Sequence, residues 1–368
     1  MLTRYVMCSV FFLSRIVLGN PSAEDDRLYK LAVHRDFFYV GGEYVEGPSG
    51  GSLRKNQMYV ERLSTDRTPR QPYPLVLIHG KAMSGANTWL NTPDGRPGWA
   101  SYFLRHGYVV YIIDQPTRGR SAWLPGDFDM TTFSTNSIAQ FFTGVAHYNL
   151  WPQASKHTQW PGNGTKGDAV FDSSLISTLQ FLLKDTEAQF RTRDGGGLYG
   201  WSVADARPSL VKAIVAIEPA GPPFEDSSLF GHGPSRAWGL TDIAMTYNPP
   251  VSSPHEISKL RIPSNETDRE DCVLQAEPAR TLPNLKQIPV VITVSEASYH
   301  ALYDHCSVKF LQQAGVNAEL LRLENIGLKG NGHLMMLEEN NLEVAKAIHD
   351  WIQYQTSCGH ERPAFRVL

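Results

Sequence analysis

The sequence contains no run of basic residues, no internal repeat and no low-complexity tract. Its net charge is −3 over 368 residues, which gives no electrostatic reason to expect nucleic acid or an anionic membrane as partner. Neither His-Glu-x-x-His nor Cys-x-x-Cys occurs, so no metal is expected, and the reading developed below needs no cofactor. Long hydrophobic runs are missing too: the one near the start, Tyr5 to Leu13, is interrupted by Arg15 and is too short to span a bilayer. What remains is an ordinary globular composition, 42% hydrophobic and 19% charged, enough for one large α/β domain with insertions.

That short run has the layout of a secretory leader. Arg4 precedes it, and small residues follow at Gly19, Ser22 and Ala23, so residues 1–23 are expected to be a signal peptide and 24–368 the folded domain. The alternative is a misplaced start and a cytoplasmic protein. Cysteine is scarce. Of four, Cys8 would leave with the leader; Cys272 and Cys306 are the candidate pair, with free thiols as the alternative. Two glycosylation sequons, Asn163-Gly-Thr165 and Asn265-Glu-Thr267, would be used only on a secreted chain.

Strand and helix signals alternate along the chain. Phe37 to Val40 and Gln57 to Leu63 read as strands around a Gly/Pro/Ser-rich turn at 47–52. Tyr73 to Ile78, Tyr108 to Asp114, Lys212 to Ile217, Gln287 to Val294 and Ala318 to Leu323 read as strands of a mostly parallel sheet. Trp99 to Leu104, Phe171 to Phe190, Ala297 to Ala314 and Glu338 to Gln355 read as flanking helices, with right-handed crossovers between. Insertions break the alternation at about 122–168 and 220–286. The first is rich in aromatics, including Phe128, Phe133, Phe141, Phe142, Trp151 and Trp160; it is read both as a self-packed cover and as a cap over an apolar pocket.

One strand is lacking. Before Asp194-Gly-Gly-Gly-Leu-Tyr-Gly200 the chain offers only the polar stretch Thr186 to Arg193, which cannot sit in the centre of a parallel sheet without burying unpaired groups. The helix opened by those glycines runs about fourteen positions from Asp194 to Pro208, roughly four turns. Ser202, in Gly-Trp-Ser-Val-Ala, stands only six positions before the proline, under two turns, and is read as a mid-helix serine. His333, in the loop Gly330-Asn-Gly-His after the last strand, is the candidate general base. Glu218 and Glu296, each just past a strand, are candidate acids. Asp304 is placed on a helix surface.

Several strings resemble the α/β-hydrolase superfamily, and more closely a branch of secreted, esterase-like bacterial and fungal hydrolases. They are Ile78-His-Gly80, Thr92-Pro-Asp-Gly-Arg96 with Trp99, Tyr102-Phe-Leu-Arg105, Ile113-Asp-Gln115 with Arg118-Gly-Arg-Ser121, Ala204-Asp-Ala-Arg-Pro208, Ile217-Glu-Pro219 with Gly221-Pro-Pro223, and Gly330-Asn-Gly-His333. The resemblance implies an α/β-hydrolase fold with a cap, no metal or cofactor, and an acyl-enzyme route to ester cleavage. It also implies Glu218 as the acid, after the sixth strand, and backbone N–H groups of Lys81 and Gly195 as the oxyanion hole.

The nucleophile position departs from it. Asp194 stands where a serine belongs, and the preceding strand is missing at the same junction, as a deletion or misjoined exon would leave it. The chain is therefore expected to be an esterase-like hydrolase for a small ester or apolar substrate, compromised at residue 194. Two alternatives stand beside it: a non-catalytic binder of the same fold, or an aspartate-nucleophile hydrolase of the dehalogenase or epoxide-hydrolase type.

Overall fold

The computed structural model describes residues 31–47, 49–65, 69–81, 83–124, 130–131, 133–178, 182–183 and 195–356. The expected leader, Asp194 and the polar stretch before it lie outside the described residues. A long antiparallel hairpin comes first, β1 (Val33–Glu46) and β2 (Ser52–Thr65), turning where the Gly/Ser-rich segment predicts. Then follow β3 (Leu75–Ile78), α1 (Gly85–Trp89), α2 (Trp99–Arg105) and β4 (Val110–Asp114). Two short strands, β5 (Met130–Thr131) and β6 (Leu182–Leu183), pair with each other, and α3 (Ala169–Thr178) lies between them in the chain. After α4 (Gly195–Ala206) come β7 (Ile214–Ile217), a β8–β9 hairpin (Lys259–Ile262, Cys272–Gln275), β10 (Val290–Val294), α5 (Asp304–Gln313), β11 (Ala318–Arg322) and α6 (Asn341–Thr356).

Among the described residues the main sheet falls in two parts, ordered β1-β2-β4-β3 and β11-β10-β7. β3 runs parallel to β4, and β10 runs parallel to both β7 and β11, while the β2 contacts are antiparallel. β10 shows why the pattern reads as buried sheet: every residue is buried, and alternate side chains enter different cores. Val291 joins Trp99, Phe103 and Trp351 under α2 and α6. Val290 and Ile292 join Trp201, Phe310 and Leu311 under α4 and α5. Helices thus cover both faces. β3 and β7, the facing ends of the two parts, both pack against α4 and line one cavity of about 1680 Å³.

Several expectations shift in detail. The helix predicted over 171–190 spans Ala169–Thr178, and its remainder is β6 or lies outside the described residues. The single helix predicted over 297–314 is a 3-10 turn, Tyr299–Leu302, followed by α5; Ser298 starts the turn by accepting the His300 N–H at 3.1 Å. The insertion at 220–286 carries the β8–β9 hairpin, which no alternation had signalled. Cys272 of β9 is bonded to Cys306 of α5, tying that insertion to the sheet's helical layer. Among the described residues no helix is long and apolar enough to cross a membrane.

Candidate active site

His333 and Glu218, 115 residues apart in sequence, meet at the carboxyl end of the β7–β10–β11 sheet. The His333 Nδ1–H donates to Glu218 Oε2 at 2.6 Å. Glu218 has a fully buried side chain and takes two more donors: the Ser295 N–H on Oε1 at 2.7 Å and the Ser298 hydroxyl on Oε2 at 2.6 Å. It directly follows β7 and has φ of +42°, a left-handed backbone for a residue with a side chain. Strain of that kind persists where surrounding contacts over-determine the position, and it gathers at functional sites.

The loop carrying His333 is fixed from below. Glu338, fully buried, accepts the Gly332 N–H at 2.9 Å and the Asn331 amide at 2.7 Å, and pairs with His157 at 2.8 Å. The glycines are required by this packing. A Cβ at Gly330, whose φ is +78°, would lie 2.1 Å from Thr158 Oγ1, and one at Gly332 would lie 2.9 Å from His157 Nε2. The Gly-x-Gly-His signal was legible in sequence; His157 and Glu338 behind it were not, because nothing local marks a contact spanning 181 residues.

Glu296, the rival acid, faces elsewhere. Its Oε2 accepts the Gly330 N–H at 3.2 Å and its Oε1 pairs with Lys156 at 3.0 Å, so it supports the loop and makes no hydrogen bond to the imidazole. Ser202 lies within α4, away from the helix's first turn. Lys81 follows Gly80 past β3 and lines the cavity with His333 and Glu218. Gly195 is the first residue of α4. Asp194 precedes it, outside the described residues.

His79, at the end of β3, is locked to β4. Its Nε2 accepts the Gln115 N–H at 3.1 Å, its Nδ1–H donates to Gly80 O at 2.8 Å, and the Gln115 amide donates to His79 O at 2.5 Å. Burial pushes its imidazole down to about 4, opposed by the Gly80 hydrogen bond and the Asp114 charge, so it sits in the structure as a neutral spacer.

Asp304 corrects an expectation. It is 1% exposed, not on a helix surface: the turn before α5 rotates its carboxylate inward, where Oδ1 meets His300 Nδ1 at 2.9 Å. Burial pushes this carboxyl well above the usual range, and the nearby Glu218 charge adds to that, with His333 opposing. The His300 ring lies parallel to that of His333, 4.8 Å away at an angle of 7°. Sequence reading passed over His300; its spacing to Asp304, four residues across a turn, was the available signal.

The cavity is mainly apolar. Phe133, Phe141 and Phe142 of the aromatic insertion line it, and Phe142 packs on His333 at 5.5 Å. Trp151 and Trp160 are buried within or beneath the insertion, and the Trp151 Nε1–H bonds to Ala297 O at 3.0 Å. Among the described residues two groupings have metal-like spacing. In the first, Cys272 and Cys306 are spent on the disulfide. In the second, Glu218, His300 and His333, the imidazoles stack face to face and each Nδ1 is committed to a carboxylate, an arrangement of hydrogen-bonded pairs and not of converging ligands.

No family model matches the sequence. The chain is 44% identical over 338 residues to a probable secreted lipase, phiG, of a fungal species, covering 87% of this chain and 89% of that one. Among solved structures it is similar to a novel bacterial esterase, at 25% identity and a TM-score of 0.55, over 93% of this chain and 100% of that one.

Proposed function

Since the chain belongs to the α/β-hydrolase superfamily, in the branch of the secreted fungal lipase it matches, we propose that it is built as a secreted carboxylic ester hydrolase of serine-hydrolase type. In this reading His333 Nε2 is the general base. Glu218 holds its Nδ1–H tautomer and stabilises the imidazolium formed when a nucleophile gives up its proton. The backbone N–H groups of Lys81 and Gly195 receive the oxyanion, and the start of α4 adds its positive dipole end. Residue 194, immediately before α4, is the nucleophile position. The substrate is an ester with an apolar portion, bound against Phe133, Phe141 and Phe142. The observation that carries the proposal is the His333–Glu218 hydrogen bond of 2.6 Å on the wall of a cavity that α4 also lines.

Asp194 limits what the printed chain does. A carboxylate attacking an ester carbonyl would form a mixed anhydride, a poor intermediate, so acyl transfer needs a hydroxyl there. The polar stretch Thr186 to Arg193, which offers no apolar strand before residue 194, supports the reading that a strand has been lost together with that hydroxyl. Sequencing the transcript across codons 180 to 200 tests this: recovery of an apolar strand ending in a serine elbow is expected. A transcript matching the printed residues favours a second reading, a non-catalytic binder of apolar ligands, which the large apolar cavity also suits.

A further inference from the structure

Beside the His333–Glu218 pair lies a second histidine–acid pair that the proposed chemistry does not use. His300 is 3% exposed and Asp304 1% exposed, and their Nδ1–Oδ1 distance is 2.9 Å. One hydroxyl joins the two pairs: Ser298 Oγ donates to Glu218 Oε2 at 2.6 Å and accepts the His300 N–H at 3.1 Å. The His300 ring covers one face of His333 at 4.8 Å, and Tyr299 contacts both rings, at 4.6 Å and 5.2 Å. His300, Tyr299, Tyr303 and His333 all line the cavity.

We propose that His300 is a positioning residue for His333, a flat wall clamped by Asp304 that sets the plane of the catalytic imidazole. The inference rests on the ester-hydrolase reading of the site. A single hydrogen bond from Nδ1 leaves an imidazole free to pivot about that bond, and Nε2 swings with it. A parallel ring on one face, with Phe142 and Tyr299 against the same imidazole, removes that freedom. Misplacement by about 1 Å is enough to cost a catalytic group about 100-fold.

The wall must also be uncharged, because His333 becomes a cation during turnover and a second cation stacked on it would oppose that step. The surroundings meet this requirement. Asp304, Glu218, Tyr299, Tyr303 and His333 are the titratable groups around His300, and Arg236, which acts on Tyr303, is held by Asp242 at 3.1 Å. Burial pushes the Asp304 carboxyl well above the usual range, which favours a neutral acid beside a neutral His300 ring.

The test is the low-field proton NMR resonance of the His333 Nδ1–H in the folded full-length chain, assigned by its loss in Glu218→Gln. Thermal melting of every variant shows that it is folded. His300→Ala, or His300→Ser where alanine does not fold, is expected to broaden or abolish the resonance. His300→Phe, which keeps a flat neutral ring, is expected to restore it. In a chain that hydrolyses a p-nitrophenyl ester, His300→Ala is further expected to lower kcat about 10- to 100-fold with KM within about threefold. An unaltered resonance in a folded alanine or serine variant would overturn the proposal, as would its loss in the phenylalanine variant. The resonance is read whether or not the chain turns over ester. Absence of hydrolysis in a chain carrying a serine elbow at position 194 therefore counts against the functional reading, and an unmoved resonance against this one.

Discussion

Replacing Glu218 by Gln separates the two candidate acids. The Glu218 carboxylate receives three donors at 2.6 to 2.7 Å on a side chain with no exposure. A glutamine has one acceptor oxygen. Turned towards His333 and Ser298, it places its NH2 against the Ser295 N–H, and a buried unsatisfied donor costs ~1–3 kcal/mol. The two bonds that remain lose their charge assistance, for roughly another 1 kcal/mol each. Turned the other way, it leaves the Nδ1–H of His333 without an acceptor and favours the wrong tautomer. The expected loss of stability is therefore ~3–5 kcal/mol, read from urea denaturation midpoints. In an active chain the expected loss of kcat is about 1,000- to 10,000-fold, the scale seen when a triad acid becomes an amide elsewhere. Glu296→Gln, which disturbs one 3.2 Å bond and one ion pair with half-exposed Lys156, is expected to cost no more than ~1 kcal/mol. If Glu296→Gln matched or exceeded Glu218→Gln in either assay, the assignment of the acid would be wrong.

Other outcomes follow from the same contacts. Because burial holds the folded-state pKa of His79 at about 4 against an ordinary 6.5, the unfolded chain takes up a proton between these values that the folded chain refuses. Stability is then full above pH 6.5 and falls as the pH drops towards 4, by up to about 3 kcal/mol from this residue; His79→Gln should flatten that slope, and an unchanged slope would place the loss elsewhere. The Cys272–Cys306 bond closes a loop of 34 residues, so Cys272→Ser with Cys306→Ser should cost ~4 kcal/mol by the loop-entropy relation, seen as an earlier urea transition. Asn163 and Asn265 are both exposed, so secretion from a eukaryotic host should add glycans that an endoglycosidase removes; a chain secreted at its bare polypeptide mass would show that the sequons go unused.

The central strands were legible because each is a short apolar run with β-branched residues, and burial on both faces demands that composition. β10 matches its run, with all five residues buried. His333 was legible for a local reason: the glycines around it have no space for a side chain, and a sequence records that directly. Glu218 became visible through its place after a strand and through family resemblance; its three donors come from residues 77 to 115 positions away. Asp304 was misplaced because a helix was extended through residues 297–303, whereas Ser298 caps a 3-10 turn there and rotates the carboxylate inward. His300 was missed with it. The β8–β9 hairpin went unseen because Lys259–Ile262 is mostly exposed and carries no alternation to read. Asp194, the proposed nucleophile position, was legible as an anomaly and lies outside the described residues.

The most direct test of the account is fluorophosphonate labelling alongside p-nitrophenyl ester hydrolysis. It compares the printed chain with one carrying an apolar strand and a serine elbow between residues 184 and 194, each with and without His333→Ala. The account predicts that only the restored chain with His333 intact both labels and turns over. Labelling and turnover by the printed chain that survive His333→Ala would contradict it.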